Sequence, residues 1–405
     1  MIRHTPFWLD RLPRSRRRSY PRHRGPLEAG VAIVGGGLTG AACAASFGAA
    51  GVKVVLLEAD RIGAGSTAGS IGLLRQDFDA AFGATASAHG LRAARQLWQG
   101  MRRASLDFAA ALRRFEIRCD LTPQELLIAA RGPADGRALR RDYQARRDAG
   151  FDHSWLTPAA LWREAALTGE GAIRTRGFAL DPYRACAGLA AAAASRGVAI
   201  FERSAVTRIR TASRHVDVTT AGGTVRAEAV VIATGAPPAD LRALRRHFRT
   251  EQGYAVVTEP LPAAVRRQVG SRSAALRDSA EPPHFLRWLK DDRVLFAGAD
   301  QPPVPSRSRE KTLVQRTGQL MYELSLVYPE ISGTAPGWSW DYTHETTIDR
   351  LPCIGPHRNF PRHLFALGQG PSGLATAWLA ARILLRHYRG EPDKGDDLFG
   401  FARIL

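Results

Sequence analysis

The sequence predicts an α/β (α+β) fold, and three observations support this class. First, residues 31–60 (VAIVGGGLTGAACAASFGAAGVKVVLLEAD) contain an apolar strand, a glycine-rich turn, a helix of small residues and a second apolar strand. Second, VVIATGA at 230–236 is typical of another buried strand. Third, apolar and polar residues alternate at 206–209 and 216–219 before Gly222-Gly223, which indicates a hairpin. The first segment is a βαβ unit and predicts a Rossmann-like domain, and 405 residues suffice for a second domain.

The glycine-rich turn has the spacing Gly35-x-Gly37-x-x-Gly40. In such a turn the first glycine permits a tight bend, the second lets the backbone approach a pyrophosphate, and the third allows helix and strand to pack closely. Glu58 follows Gly40 by 18 residues, where a carboxylate meets ribose hydroxyls, and this favours FAD or NAD over NADP. The alternative for the uncharged residues 29–52 is a membrane-spanning helix, but seven glycines in that window argue against it.

The rest of the chain alternates between helical and strand patterns. Three-to-four spacing of apolar residues predicts helices, a polar residue before proline predicts a helix start, and short β-branched or aromatic runs predict strands. On these grounds we predict helices at 80–115, 313–328 and 375–388, helix starts at Thr122-Pro123, Thr157-Pro158 and Asp181-Pro182, and paired strands at 285–289 and 294–297.

The chain is strongly basic, with a formal net charge of +19. Only four of its 57 basic residues are lysines, which indicates a compositional bias toward arginine. The alternative is a surface that attracts nucleic acid, anionic lipid or acidic substrates. Residues 1–26 form a basic N-terminal arm, in which Trp8 and Leu9 predict docking on the body of the protein.

Cysteine usage and the N-terminus bear on location. Cys43, Cys119, Cys186 and Cys353 are scattered without a CxxC pair, so we expect neither a disulfide framework nor a metal site. No apolar stretch of signal-peptide length follows the basic arm, and no transmembrane segment is predicted. A reducing, cytoplasmic location is the expectation.

Several motifs together resemble one family. The glycine motif with Glu58, VVIATGA at 230–236, TIDRLPCIGP at 347–356 and GQGPSGLATA at 368–377 are similar to those of the FAD-dependent D-amino-acid-oxidase-like (DAO) superfamily. The leader FWLDRLP…SYPRHRGPLEAGVAIVGGG resembles that of its γ-glutamylputrescine-type branch, which stands beside glycine and sarcosine oxidases. The resemblance implies an FAD-binding domain at 27–78, 175–248 and 336–390. It also implies a substrate domain of antiparallel sheet and helices at 79–174 and 249–335, and a C-terminal tail at 391–405.

The resemblance also implies which residues bind FAD. The glycines face the pyrophosphate, the acid and its neighbours take the ribose, and the C-terminal loop approaches the flavin ring. The implied residues are Gly35, Gly37 and Gly40; Glu58, Ala59 and Arg61; Ser66 and Thr67; Val206; Thr234 and Gly235; and Gly370, Ser372, Gly373 and Leu374.

The sequence departs from the family pattern in two places. Family members with covalent flavin carry a cysteine where Trp340 stands here, before Tyr342-Thr343, so we predict noncovalent FAD. Sarcosine-oxidase-like members place an oxygen-activating lysine on the strand that corresponds to 294–297, and this strand has none. The electron acceptor, oxygen or another compound, therefore stays open.

Three residues are the candidates for catalysis. The resemblance makes Arg75 and Arg287 candidates to hold a substrate carboxylate through a bidentate fork, although Arg75 has Asp77 and Asp79 as alternative partners. His344, next to Glu345, is a candidate proton acceptor at the flavin edge. His284 is expected to be structural, as are Asp349 and Arg350 in the DRLPCIG turn.

The predicted function is oxidation of a C–N bond of an amine or amino acid to an imine, by hydride transfer to flavin. One alternative is an FAD dehydrogenase with a non-oxygen acceptor. A second is a tRNA-modifying flavoenzyme or basic nucleic-acid-binding protein. A third is a flavin-binding subunit of a larger oxidase. The sequence does not name the substrate.

Overall fold

The computed structural model describes residues 2–269 and 273–404. Seventeen strands lie in this part of the chain. They are β1 (Leu27–Val34), β2 (Val54–Leu57), β3 (Leu73–Leu74), β4 (Thr122–Ala130), β5 (Ser154–Leu156), β6 (Gly171–Ala179), β7 (Ala199–Phe201), β8 (Val206–Thr211), β9 (Val216–Thr220), β10 (Gly223–Gly235), β11 (Phe248–Thr258), β12 (Ala275–Asp278), β13 (Phe285–Trp288), β14 (Val294–Gln301), β15 (Pro336–Thr347), β16 (Cys353–His357) and β17 (Phe360–Leu367).

Twelve α-helices lie in the same described residues. They are α1 (Phe7–Arg11), α2 (Leu38–Ala49), α3 (Ser66–Gly69), α4 (Phe82–His89), α5 (Leu91–Arg114), α6 (Pro133–Asp148), α7 (Pro158–Ala165), α8 (Pro182–Ala194), α9 (Arg242–Arg245), α10 (Ala263–Val269), α11 (Arg309–Val327) and α12 (Gly373–Arg389). No helix among the described residues combines the length and the apolar composition needed to cross a membrane.

The first sheet has the order β16-β17-β10-β1-β2-β7, with β9 and β8 added beside β10. The pairs β1–β2, β1–β10, β10–β17 and β2–β7 are parallel. The central strand β1 is buried on both faces, which explains its continuous apolar run. Helices α2, α8 and α12 pack together as one layer of this unit. Ligand sites in such sheets lie at the carboxyl ends of the strands, and here β1, β2 and β10 end side by side.

The second sheet has the order β15-β11-β14-β13-β12-β4-β6-β3, with β5 paired to β6. Its neighbouring strands are antiparallel except for the parallel pair β12–β4. Helix α11 packs against β11, β14 and β15, and it buries Leu320 and Leu324 in the core of this unit. The two sheets confirm the predicted α/β class with a Rossmann-like unit and a mostly antiparallel second unit.

Most predicted elements are present. The predicted βαβ unit is β1–α2–β2, and the predicted strand pair at 285–297 is β13–β14. Thr157 and Asp181 begin α7 and α8, and each side chain accepts a hydrogen bond from a backbone N–H of the first turn. Helices α11 and α12 begin a few residues before their predicted starts.

Two predictions were wrong. The helix predicted at 80–115 is two helices, α4 and α5, because Gly90 at φ +82° breaks the backbone between them. The helix start predicted at Thr122-Pro123 is the beginning of strand β4. Five consecutive buried residues, Leu126–Ala130, follow the proline, and this apolar run favours a central strand over an amphipathic helix.

Strands of the second sheet lie inside the predicted FAD-binding segments. β6 and β15 belong to the second sheet, whereas the predicted FAD-binding segments begin at 175 and 336. β15 pairs with β11 along its whole length, from Thr347 opposite Phe248 to Pro336 opposite Thr258. We therefore propose domain boundaries near residues 180 and 348, at the ends of these two strands.

The N-terminal arm is part of the fold. Phe7 and Trp8 are buried, and the Trp8 indole Nε1–H donates to the carbonyl of Ser70 at 2.7 Å. Arg3 exchanges backbone hydrogen bonds with Gly337 and Ser339 at the start of β15. The predicted docking of the arm is therefore confirmed. The predicted C-terminal tail is also packed, since Phe399 and Phe401 are buried.

Replacing Trp8 with alanine is expected to destabilise the whole chain. The substitution removes a buried aromatic ring and its hydrogen bond, which costs about 3–5 kcal/mol in comparable cores. Arg14→Ala, at an exposed position of the same arm, should change stability by less than about 0.5 kcal/mol. Urea unfolding of both variants makes the comparison, and equal midpoints would show that the arm is not docked in solution.

Candidate active site

A cavity of about 530 Å³ lies at the carboxyl end of the first sheet. It extends from the β1–α2 turn to the loop before α12 and is closed on one side by β15 of the second sheet. Thirteen of the residues predicted to bind FAD line it: Gly35, Gly37, Glu58, Ala59, Arg61, Ser66, Thr67, Val206, Thr234, Gly235, Gly370, Gly373 and Leu374. The other two, Gly40 and Ser372, are not among the residues that line the cavity.

The glycine turn has no room for a side chain at Gly35 or Gly40. A Cβ atom at Gly40 would lie 1.8 Å from the carbonyl oxygen of Gly35, and a Cβ at Gly35 would lie 2.5 Å from that of Ala233. Gly35 also has φ +106°, a conformation that favours glycine. The turn therefore brings the N-terminus of α2 to the cavity wall, where its N–H groups and dipole suit phosphate groups.

Glu58 is held in a fixed orientation at the end of β2. Its Oε2 accepts the N–H of Gly36 at 2.5 Å, and its Oε1 accepts the N–H of Asp60 at 2.8 Å. Burial raises the pKa of Glu58, and these two backbone donors act in the opposite direction. Each carboxylate oxygen has a second lone pair, so the group can still accept a ribose hydroxyl.

Helix α3 links the two sheets beside the cavity. Thr67 Oγ1 accepts the N–H of Leu38, the first residue of α2, at 2.9 Å. Ser66 Oγ donates to the carbonyl of Thr343 on β15 at 2.7 Å. The two hydroxyls therefore fix the phosphate end of the cavity relative to the strand that closes it.

The opposite end of the cavity contains a buried amide without a partner. Gln369 lines the cavity, and neither its Nε2 nor its Oε1 has a hydrogen-bond partner among the described residues. A buried polar group without a partner is costly, so its presence here fits a ligand with a polar edge. The N-terminus of α12 starts beside it at Gly373. Sequence analysis missed Gln369, although it lies within the GQGPSG motif.

Arg75 belongs to a buried ion network. Its Nε contacts Asp77 Oδ1 at 2.9 Å, its Nη1 contacts Asp79 Oδ1 at 2.5 Å, and its Nη2 donates to the Phe78 carbonyl at 3.1 Å. Asp79 Oδ2 in turn accepts the hydroxyl of Ser372 at 2.8 Å. Arg75 does not line the cavity, and it orients the loop before α12 through Asp79. The structure therefore shows Arg75 bound to Asp77 and Asp79, the alternative partners named in the sequence analysis.

Arg287 is also removed from the cavity. Its Nη1 donates to the carbonyls of Ile71, Gly72 and Leu180 at 3.1, 3.0 and 2.8 Å. Its guanidinium lies 5.1 Å from the ring centre of Trp8. Burial lowers the pKa of Arg287 to about 10. The positions of Arg75 and Arg287 thus give no support to the predicted contact with a substrate carboxylate.

His344 does line the cavity. Its Nε2 lies 3.1 Å from Glu251 Oε2 and 3.6 Å from Asp300 Oδ2, while its buried Nδ1 has no hydrogen-bond partner among the described residues. Burial favours the neutral ring, but the hydrogen bond to Glu251 and the charges of Asp300, Glu251 and Asp79 outweigh it, and the pKa of His344 is raised. Glu251 and Asp300 come from β11 and β14, and sequence analysis missed both.

The remaining predicted residues have structural contacts. His284 is bound at both ring nitrogens, to Asp278 at 2.8 Å and Glu323 at 3.0 Å. Glu345 lines the cavity and accepts the Thr250 hydroxyl at 2.7 Å. Asp349 accepts a hydrogen bond from Thr347 and forms an ion pair with Arg403, which shapes the DRLPCIG turn.

The comparison with known families decides the identity of the site. The sequence matches the DAO family, described as FAD dependent oxidoreductase, over residues 30–386. The chain belongs to the DAO family. It is therefore an FAD-dependent oxidoreductase, and the cavity with its glycine turn, fixed Glu58 and two helix N-termini fits the FAD of the DAO family.

Individual relatives agree with the DAO assignment. The chain is 24% identical over 375 residues to the probable oxidoreductase OrdL of Haemophilus influenzae, covering 90% of this chain and 84% of that protein. It is 26% identical over 371 residues to gamma-glutamylputrescine oxidoreductase of Escherichia coli, covering 90% and 85%. The crystal structure of glycine oxidase from Geobacillus kaustophilus superposes with a TM-score of 0.78 at 22% identity, covering 94% of this chain and 100% of that one.

Replacing Gly40 with alanine is expected to weaken FAD retention. The added Cβ cannot coexist with the Gly35 carbonyl, so the turn must open, and overpacking of this kind costs about 1–3 kcal/mol, or up to a hundredfold in affinity. Gly132→Ala is the matched control, because nothing lies within 4 Å of a Cβ there. The FAD-to-protein ratio after gel filtration distinguishes the two, and an unchanged ratio in Gly40→Ala would exclude the turn as the pyrophosphate site.

Replacing Arg75 with methionine tests its structural role. The change leaves Asp77 and Asp79 buried with a lost cationic partner, which costs about 3–5 kcal/mol. Arg382→Met removes an arginine from an exposed ion pair with Asp107, and its cost should be below about 1 kcal/mol. Chemical denaturation compares the variants. A stable Arg75→Met protein with an impaired substrate KM would instead support the predicted carboxylate contact.

Proposed function

We propose that this DAO-family enzyme oxidises a C–N bond of an amine or amino acid to an imine, which water then hydrolyses. The single observation that carries the proposal is the hydrogen bonding of His344 and its position in the cavity wall. Its Nε2 is fixed by a carboxylate, and its unpartnered Nδ1 belongs to a ring that lines the cavity. The printed names of two relatives, gamma-glutamylputrescine oxidoreductase and glycine oxidase, support an amine-type substrate.

The role proposed for His344 is to keep the reacting amine neutral. FAD, when bound, supplies the acceptor for a hydride from the carbon next to nitrogen. That carbon gives up a hydride readily only when the nitrogen keeps its lone pair, so an incoming ammonium must first lose a proton. Because Glu251 accepts the Nε2–H of His344, the lone pair is on Nδ1, which takes the proton. Glu251 and Asp300 stabilise the imidazolium that forms.

FAD is proposed to be held without a covalent bond. All four cysteines are in the described part of the chain, none lines the cavity, and all are buried. Cys353 is on β16, where burial raises the pKa of its thiol to about 12 and leaves little reactive thiolate. Trp340 is buried, and its Nε1–H donates to the carbonyl of Gly69 at 3.1 Å. Acid precipitation of the yellow protein should leave all flavin in the supernatant.

The acceptor that reoxidises the flavin is either oxygen or another electron carrier. A non-oxygen acceptor is supported by the absence of lysine from Val294–Ala297 and from the described residues that line the cavity. Turnover of an amine substrate in air, with and without an added quinone or dye, separates the two. Fast peroxide formation in air alone would contradict the dehydrogenase alternative.

The flavin reduction rate is expected to depend on His344. His344→Asn keeps a donor for Glu251 but has no base, and loss of a general base costs about 10²–10⁴-fold in rate. His284→Asn is the matched control, because that ring is bound on both sides and does not line the cavity. Anaerobic stopped-flow absorbance at saturating amine gives the rates, and similar rates in wild type and His344→Asn would exclude His344 as the proton acceptor.

The pH profile of flavin reduction provides a second test. Since the base must be neutral, the rate should rise with pH through the pKa of His344, which is raised above its ordinary value of 6.5. Glu251→Gln removes a carboxylate that raises this pKa, so the rise should move to lower pH. The carboxylates of Asp300 and Asp79 remain and keep part of the shift. An unchanged pH profile in Glu251→Gln would show that the group that titrates is not His344.

A further inference from the structure

The outer face of α11 carries an exposed apolar stripe. Val314, Tyr322 and Leu326 are 57%, 64% and 55% exposed, and they are three of the seven large apolar side chains that are exposed in the described part of the chain. Gly318 lies between Val314 and Tyr322, so these four residues, here called the α11 stripe, advance by four at each step and form one ridge along the helix. Contiguous apolar surface of this kind marks an interaction site.

The opposite face of α11 is already used by the fold. Leu313, Thr317, Leu320 and Leu324 are buried, and the helix packs on β11, β14 and β15. The helix is therefore docked in the second unit without any contribution from the α11 stripe. Its apolar side chains remain exposed to water after the chain has folded, which is unfavourable unless another surface covers them.

Gly318 leaves a hollow in the middle of the stripe. A Cβ atom added there would have no heavy atom within 4 Å, and the residue has no positive φ that would require glycine. Glycine is destabilising in a helix interior, so neither space nor backbone conformation within one chain explains it. Close approach of another surface does explain it, and the ring of Tyr322, one turn further along, protrudes beside the hollow.

The two ends of the stripe carry opposite charges. Lys311 is exposed one turn before Val314, and Glu330 is exposed just past the end of the helix. Neither residue forms an ion pair within the described ranges. Glu310 is also exposed, but it lies about 100° around the helix from Lys311 and off the stripe. A surface with opposite charges at its two ends is complementary to an inverted copy of itself.

We propose that α11 docks against α11 of a second copy of this chain, antiparallel, about a two-fold axis between Gly318 and Tyr322. In that arrangement Tyr322 of each copy fills the hollow at Gly318 of the other, and Val314 faces Leu326. The charged ends then meet with opposite sign, and each contact occurs twice, as an isologous interface requires. The stripe is about 18 Å long, so the dimer is expected to be in reversible equilibrium with the monomer.

A lipid surface is the other occupant that an exposed apolar helix face could have. Helices that lie on membranes carry several basic residues beside the apolar face. Lys311 is the one basic residue of α11 on the stripe, because Arg309 pairs with Asp341 of β15 and Arg316 donates to Gln301 of β14. The acidic end of the stripe would also be repelled by anionic lipid. The mixed charge therefore favours a second copy of the chain.

The mass of the holoenzyme in solution is the first test. Sedimentation velocity over a wide range of protein concentration should show a reversible equilibrium between one chain of 44.0 kDa and a species of twice that mass. A single species with the mass of one chain at every concentration would overturn the inference. The readout does not depend on turnover, so its failure is distinct from failure of the proposed function.

Gly318→Gln tests the hollow. In one copy the added side chain meets open space and favours the helix, so the variant should keep its FAD and its stability. In the dimer the side chain takes the place of the Tyr322 ring, and the dissociation constant should rise about tenfold or more. Gly132→Gln is the matched control, because nothing lies within 4 Å of a Cβ there either. Equal dissociation constants for Gly318→Gln and wild type would overturn the inference.

Charge reversal tests the antiparallel pairing. Lys311→Glu and Glu330→Lys each bring like charges together twice, and each should weaken association by about three- to tenfold. The double variant has opposite charges in exchanged positions and should recover the wild-type affinity. Single variants without effect, or a double variant weaker than either single variant, would show that these ends do not meet.

Leu326→Ser separates a second copy from a membrane. The change should weaken association about tenfold, whereas Leu106→Ser, at a leucine of α5 that is 43% exposed, should leave it unchanged. Flotation with vesicles of phosphatidylcholine and phosphatidylglycerol is measured on the same proteins. Wild-type protein that floats with the vesicles and stays monomeric in solution, with flotation lost in Leu326→Ser, would assign the stripe to a lipid surface and overturn the inference.

Discussion

The antiparallel pairing of β11 with β15 is the constraint on which the active site depends. It places Glu251 opposite His344 and brings Tyr342, Thr343 and Glu345 to the wall of the FAD cavity. The hydroxyl of Ser66 then ties this strand to the nucleotide-binding unit. Because successive side chains of a strand alternate between faces, a slip of one residue would take the His344 side chain away from Glu251. The chemistry of the enzyme therefore rests on strand register as much as on residue identity.

Ion pairing explains why arginine content and arginine function differ in this protein. The chain is rich in arginine, yet Arg75 and Arg287, the two predicted to hold a substrate carboxylate, are structural, one fixed by aspartates and the other by carbonyl oxygens. A buried arginine that already donates hydrogen bonds cannot move to a ligand without leaving its charged or polar partners unpaired. What the flavin end of the cavity presents to a substrate is set by the groups that line it, which include the imidazole of His344, the carboxylate of Glu345 and the amide of Gln369.

The sequence predicts the nucleotide half of the site well and the substrate half poorly. Gly35, Gly37 and Glu58 lie in one βαβ motif whose geometry is local, so their places in the cavity follow from spacing, whereas those of Thr234 and Gly373 follow from the resemblance to the family. Glu251, Asp300 and His344 come from three strands, and a single sequence does not reveal which residues stand opposite each other. Pro123 shows the same limit on a smaller scale, because the burial of Leu126–Ala130 decided there between a helix and a strand. The predicted roles of Arg75 and Arg287 assumed exposure to the cavity, and burial likewise decided their surroundings.

The docked arm has a consequence for how the chain is made. Arg3 and Trp8 are synthesised well before their partners, which include Ser339 on β15 and the Arg287 side chain. The parallel pair β10–β17 likewise cannot form until β17 has been synthesised. The nascent chain must therefore carry unburied Phe7 and Trp8 until these later segments have been made. An extension fused ahead of Arg3 would have to leave along the start of β15, beside the strand that completes the active site.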